Sequence, residues 1–212
     1  MNMFNFRLTI SQLMLSNIYL GDNFAFVNIK IKPFLLGYKN GYHLINLSFT
    51  QIQFKIVLKV IINLIINRQK ILIVKNNDFY NLNYYFNNKN VFFYSKKWIG
   101  GLLTNFRLVR KNKIFASKEL LAVNNINFLR YMPSLIFIFD TKISKWPLFE
   151  AYNLEIPTSS IINSSSLYID FINYPVIGNN KSFEAIYLYV NFIRNAIMKG
   201  KQKERLKILR IL

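Results

Sequence analysis

Short apolar runs that stop abruptly at polar residues alternate along this chain with stretches of helical spacing. That alternation specifies βαβ units built around a parallel sheet. Residues 44–47, 70–74, 91–94, 135–140, 158–162 and 176–177 read as strands. The run 70–74 has polar residues on both sides, as a strand buried on two faces requires. Residues 135–140, reached through Pro133 and ending in Asp140, predict the central strand. Between the strands, 50–67 has helical spacing at Ile52, Ile56, Val60 and Asn63, with Ser48 or Thr50 as N-cap. Residues 146–153 predict a short helix with Pro147 in its first turn. The helix predicted for 182–198 lines up Phe183, Ile186, Val190, Ile193 and Ile197 on one face. Residues 76–90, rich in Asn and Tyr, read as a weak helix or a loop.

A length of 212 residues accommodates one main domain, 1–198, followed by a basic extension, 199–212. The charge narrows the partners. Lys and Arg number 28 against 9 Asp and Glu, a net charge of +19, yet 52% of the residues are hydrophobic, including 20 Phe and 13 Tyr. Such a chain folds around a core and then meets a polyanion, with nucleic acid the first choice and an anionic membrane surface the second. The absence of Cys and the single His43 exclude the usual zinc and disulfide chemistry, so no metal site is expected. The most apolar stretch, 56–66, is interrupted by Lys59 and Asn63 and predicts no membrane span. The amino-terminal residues show no import signal. Abundant Asn, Lys, Ile, Phe and Tyr with only 7 Gly and 5 Pro point to an A/T-rich, organellar type of genome.

Enzymatic chemistry finds little support. Neither GxGxxG nor GxxxxGK[ST] occurs, and no GxSxG elbow surrounds Ser159, Ser160, Ser164, Ser165 or Ser166. His43 reads as a satisfied strand or turn histidine. Asp140 reads as a cap or local ion pair, and Asp22, Asp78, Glu119, Glu150 and Asp170 are scattered singly. No catalytic residue, cofactor or small-molecule substrate is therefore expected. The cations are better organised. Lys30, Lys32 and Lys39 flank Pro33-Phe34; Lys96 and Lys97 precede Gly100-Gly101; Arg107, Arg110 and Lys111 follow, with Lys113 and Lys118 beyond. Their interleaving with Phe, Trp and Tyr suits structured RNA, since cations neutralise phosphates and rings stack on unpaired bases. The paired glycines permit a tight backbone path that structurally needs no ligand.

The segment WIGGLLTNFRLVR, 98–110, resembles the W-[LI]-G-G-x-L-T-N-[FW]-x-x-[VI]-R signature of the small-subunit ribosomal protein two family. IKPFLLGYKNGYHLINL, 31–47, is similar to that family's M-K-P-F-I-[FY]-G-x-R-N-x-x-H-I-I-N-L. In the same order, 70–74 resembles K-I-L-F-V, 133–140 P-D-x-[LV]-[FI]-V-x-D, 150–157 E-A-x-x-L-x-I-P, and 174–180 Y-P-I-P-G-N-D.

The resemblance implies a flavodoxin-like, three-layer α/β domain with a mostly parallel sheet. It implies a structural constituent of the small ribosomal subunit, bound to rRNA near the head–body junction and touching neighbouring small-subunit proteins, not a homo-oligomer. The RNA-binding set expected is Lys30, Lys32, Lys39, Lys96, Lys97, Gly100, Gly101, Asn105, Arg107, Arg110 and Lys111.

Three departures stand out. Tyr19, Leu20, Gly21 and Asp22 replace the family's H-F-G-H, a truncated insertion at 108–131 replaces a long helical hairpin, and Asn163-Ser164-Ser165-Ser166 replaces D-T-N-x-D. Short hairpin and A/T-biased composition predict a mitochondrial copy, with a plastid copy as runner-up. The competing expectations are a flavodoxin-like enzyme binding a nucleotide or phosphorylated substrate near Asp140 and Ser164, and a peripheral membrane protein held by 199–210.

Overall fold

The computed structural model describes residues 8–23, 25–75, 89–95, 97–105, 132–142 and 144–209. Two sheets organise them. The first is a small antiparallel module of β1 (Leu20–Asn23), β2 (Leu35–Lys39) and β3 (Tyr42–Ile45), in the order β1-β3-β2. The second is the expected parallel sheet of β4 (Ile71–Val74), β5 (Val91–Tyr94), β6 (Leu135–Ile138), β7 (Thr158–Ile162) and β8 (Tyr174–Ile177). Its order β5-β4-β6-β7-β8 is the flavodoxin-like 2-1-3-4-5 arrangement, and β6 is its centre, as the abrupt apolar run predicts.

Alternation along each strand divides the core into two layers. Ile71, Ile73, Val91, Phe93, Leu135 and Phe137 face a cluster built with α1 (Ile10–Leu15), α2 (Leu47–Ile66) and α4 (Phe183–Leu209). Leu72, Val74, Phe92, Tyr94, Ile136 and Ile138 face the other cluster, with Trp98, Leu102, Leu103 and Leu148 of α3 (Lys145–Asn153). Both faces of the sheet are covered, which is why its strands read as unbroken apolar runs. The polar strand β7 stays buried because its hydroxyls are bonded. Ser160 Oγ donates to the Ile138 carbonyl at 2.7 Å and Ser159 Oγ to the Tyr174 carbonyl at 3.0 Å.

Four sequence expectations change. Residues 44–47 do not join the parallel sheet: Leu44 and Ile45 end β3 of the antiparallel module, and Leu47 already opens α2. The N-cap of α2 is Asn46, whose Oδ1 accepts the Ser48 N–H at 3.1 Å, while Thr50 Oγ1 donates to the Ile177 carbonyl at 2.6 Å and ties the helix to β8. Phe183 is half-exposed, and the buried face of α4 runs instead through Ile186, Tyr189, Val190, Ile193, Ala196 and Ile197. Finally, the helix does not end at 198: 199–209 continue α4, so the basic extension is helical. The glycine there does not stop the helix, because Gly200 is buried against α2, where a Cβ would lie 2.8 Å from Ile65 Cβ.

The apolarity of α2 is greater than the interrupted run 56–66 suggests. Its 20 residues have the length and hydropathy of a spanning helix. Phe54, Val57, Leu58, Ile61 and Ile65 are nevertheless buried in the α2–α4 layer, as in a core helix. The expected insertion 108–131 lies outside the described residues.

Candidate nucleic-acid interface

The glycine loop, 97–105, leaves β5 at the carboxyl edge of the sheet. Trp98, Leu102 and Leu103 are buried, so the loop is pinned at both ends by apolar side chains. Between them the backbone N–H groups converge on one carboxylate, that of Glu150 in α3. Glu150 Oε1 accepts from Trp98 Nε1 at 2.9 Å and from the Gly101 N–H at 2.8 Å. Its Oε2 accepts from the Leu103 N–H at 2.8 Å and the Thr104 N–H at 3.2 Å. Tyr94, below the loop, donates its hydroxyl to the Lys97 carbonyl at 2.9 Å and meets Trp98 edge-on, with ring centroids 5.1 Å apart. Burial pushes the Tyr94 phenol up to about 12, so it stays a donor.

The two glycines are not equivalent. Gly101 sits at φ +86, and a Cβ there would lie 2.8 Å from Asn105 Nδ2. Gly100 has open space around it. The loop is thus held from inside, and Lys97, Gly100, Thr104 and Asn105 are left on the surface.

The second basic group lies on the antiparallel module. Asn40 at φ 51 and Gly41 at φ 80 make the tight turn between β2 and β3, which places Lys39 opposite Tyr42. Lys32, Lys39, Tyr38 and Tyr42 are exposed. Lys30 pairs with Asp170 across the surface, with both side chains about 60% exposed, a contact that a phosphate can replace at little cost. Ile31 and Ile45 of this module are buried in the same apolar cluster as Trp98, Leu102 and Leu103. One core layer therefore seats both basic surfaces. Of the other expected site residues, Lys96, Arg107, Arg110 and Lys111 lie outside the described residues.

A buried polar cluster locks the module to the sheet. Asp22, 6% exposed on β1, accepts from Asn163 Nδ2 at 3.1 Å and from the Ser165 hydroxyl, and it is approached by Lys181 Nζ at 2.5 Å and Lys142 Nζ at 3.5 Å. The Asp22 N–H donates to Ser164 Oγ at 2.8 Å, and Asn28 Nδ2 donates to the Ser166 carbonyl at 2.7 Å. Burial alone would raise the Asp22 pKa. Hydrogen bonds from Lys181 and Ser165 and the charges of Lys181 and Lys142 outweigh it and hold the carboxyl below its ordinary range.

The sign for stability follows from that direction. A depressed native pKa contributes stability that is present above the unfolded value of about 3.9 and is lost as pH falls through the native one. Asp22→Asn is therefore expected to lower the melting temperature at pH 7. The gap to the wild type should close as pH drops below about 4. A gap independent of pH would show that the charge contributes nothing.

The positions weighed for catalysis have structural work. Ser164 Oγ is bound by the Asp22 N–H, and Asp140 Oδ1 accepts the Lys142 N–H at 2.8 Å in a local turn, as a capping role predicts. His43 is a half-buried residue of β3. At the end of β4, Lys75 is buried with Nζ 5.7 Å from the centre of the Phe139 ring, and burial lowers its pKa to about 8. No group of metal-ligating side chains occurs among the described residues. Glu150 and Asp22, read from the sequence as scattered acids, are the groups that organise the two surfaces.

Comparison with known proteins gives a consistent result. Residues 13–127 and 115–200 match the family described as Ribosomal protein S2. The chain is 27% identical over 223 residues to the small ribosomal subunit protein uS2 of Buchnera aphidicola subsp. Cinara cedri, covering 92% of each. It is 26% identical over 225 residues to that of Desulfatibacillum aliphaticivorans, covering 92% of this chain and 76% of the relative. The corresponding protein of Pseudoalteromonas translucida is 25% identical over 233 residues, with 92% and 93% covered.

Proposed function

Starting from the fact that the chain belongs to the ribosomal protein S2 family, a structural and non-enzymatic family of the small ribosomal subunit, we propose that it holds small-subunit rRNA near the head–body junction of a mitochondrial ribosome. The observation that carries this reading is the division of labour in the glycine loop. Its donors turn inward to Glu150, while Lys97, Gly100 and Asn105 face out, on the same core layer that seats Lys32 and Lys39. Exposed cations with a backbone that comes close to the surface suit the phosphates of folded RNA, and Tyr38 and Tyr42 offer rings for unpaired bases. Recognition is by charge and shape, without turnover. In this reading Lys96, Arg107, Arg110 and Lys111 also bind the rRNA, and neighbouring small-subunit proteins complete the contacts. Support for the mitochondrial assignment is compositional, from the A/T-rich codon bias that the abundance of Asn, Lys, Ile, Phe and Tyr reflects.

Charge reversal tests the surface. Lys96→Glu with Lys97→Glu, and separately Lys32→Glu with Lys39→Glu, are expected to lower incorporation into small subunits and to weaken binding to small-subunit rRNA at least ~10-fold at moderate salt, with melting temperatures near the wild type. Normal incorporation of both double variants would contradict the proposed contacts.

A further inference from the structure

Along α4 the environment changes at Gly200. Up to that residue one face of the helix is buried against α2, and from Gln202 to Leu209 every side chain is exposed except that of Glu204, which is partly so. Topology shows where this segment points. The helix starts after β8, at the carboxyl edge, and runs back antiparallel to strands of four or five residues. With ~1.5 Å per residue, its 27 residues span ~40 Å, well over the ~15 Å of such strands. It therefore overshoots the amino edge. Arg68, between α2 and β4 at that edge, fixes the overhang by pairing with Glu204 at 2.7 Å.

The overhang is strongly basic. Lys199, Lys201, Lys203, Arg205 and Lys207 face a single carboxylate, Glu204, which Arg68 already neutralises. Lys203, Arg205 and Lys207 are exposed, and among the described residues none of the three is paired with a carboxylate. Helical spacing sets Lys199 and Lys203 along one flank and Lys201 and Arg205 along the other. The outward face interrupts Met198, Leu206 and Leu209 with Asn195, Gln202 and Arg205, so it lacks the continuous apolar strip that sinks a helix into a lipid surface.

We infer that the end of α4 is a second RNA-binding arm, which grips the phosphate backbone of an rRNA helix at the sheet edge opposite the glycine loop. This rests on the rRNA-binding reading above and extends it: the protein joins two RNA segments, one at each end of its sheet. A rigid helix with cations on both flanks matches two rows of phosphates across a groove, without base readout.

The test uses the full chain and the variant Lys203→Gln/Arg205→Gln/Lys207→Gln. Each phosphate contact contributes roughly 0.7–0.9 to the salt slope, so losing three makes the slope for small-subunit rRNA shallower by about 2 to 3 and weakens binding about a hundredfold at 0.1 M salt. Hydroxyl-radical footprints should show two protected segments with the wild type and only one with the variant. The Lys32/Lys39 reversal should remove the other. An unchanged slope and footprint would overturn the arm. Loss of binding only to phosphatidylserine vesicles, with RNA binding intact, would overturn it in favour of a lipid surface. A wild type that protects no rRNA would instead overturn the rRNA-binding reading itself.

Discussion

Glu150→Gln is expected to release the glycine loop from the body and to cost about 3 kcal/mol or more of stability, because it removes half of the acceptor that holds the loop. The carboxylate is 7% exposed and takes four donors, two on each oxygen. Glutamine keeps one oxygen and turns an NH2 group toward the other two donors. Each donor stranded out of water costs about 1–3 kcal/mol. Glu150→Ala strands all four and should be worse. Urea unfolding gives the change directly, and Glu184→Gln, on the exposed first turn of α4, serves as control with an effect within about 0.5 kcal/mol. A loss below 1 kcal/mol for Glu150→Gln would mean that the loop does not depend on this carboxylate. Binding to rRNA should weaken along with the loop, although Glu150 itself is buried.

Gly200→Val is the second large effect expected, a loss of about 2–3 kcal/mol from overpacking. A Cβ at this position lies 2.8 Å from Ile65 Cβ, 2.9 Å from its Cγ2 and 3.2 Å from the Ile62 carbonyl oxygen. The last is backbone and cannot rotate away. The two helices must separate where they cross, which also loosens the Arg68–Glu204 pair and the overhang beyond it. Adding Ile65→Ala keeps the Cβ contact but removes Cγ2 and opens room for the valine methyls, so the double variant should recover part of the loss relative to the sum of the single ones. Strict additivity in thermal or urea unfolding would show that the crossing does not constrain α4.

The parallel sheet was largely legible because both its faces are covered. Continuous apolar runs such as 71–74 and 135–138 read as buried strands of a parallel sheet, while the flavodoxin-like arrangement is implied by the family resemblance. The antiparallel module was less legible. Its β2 is almost entirely exposed, so it carries no apolar alternation, and β3 ends one residue before the cap of α2. The end of α4 is not legible locally: residues 199–212 alternate basic residues with Ile and Leu and read as an extension, while Gly200 is set by a contact with Ile65, far away in sequence.

The site divides along the same line. The basic clusters and the glycine pair are local and were visible. Glu150 meets Gly101 across 49 positions, and Asp22 meets Ser165 across 143. No local pattern reports such pairings, although the motif containing Glu150 and the one containing the glycines were both recognisable. The polar cluster also connects two departures from the family pattern. Asp22 stands where H-F-G-H has its last residue, and Ser164 and Ser165 stand in place of D-T-N-x-D; the two segments face each other. The turn carries no carboxylate, and the one that it meets is Asp22 of β1.

Sedimentation tests the central claim most directly. A native organelle lysate is run on a sucrose gradient in magnesium after a salt wash, and the protein is located across the fractions by mass spectrometry. The account predicts that it migrates with the small subunit and with monosomes, together with small-subunit rRNA. Recovery only at the top of the gradient, free of rRNA, would contradict it.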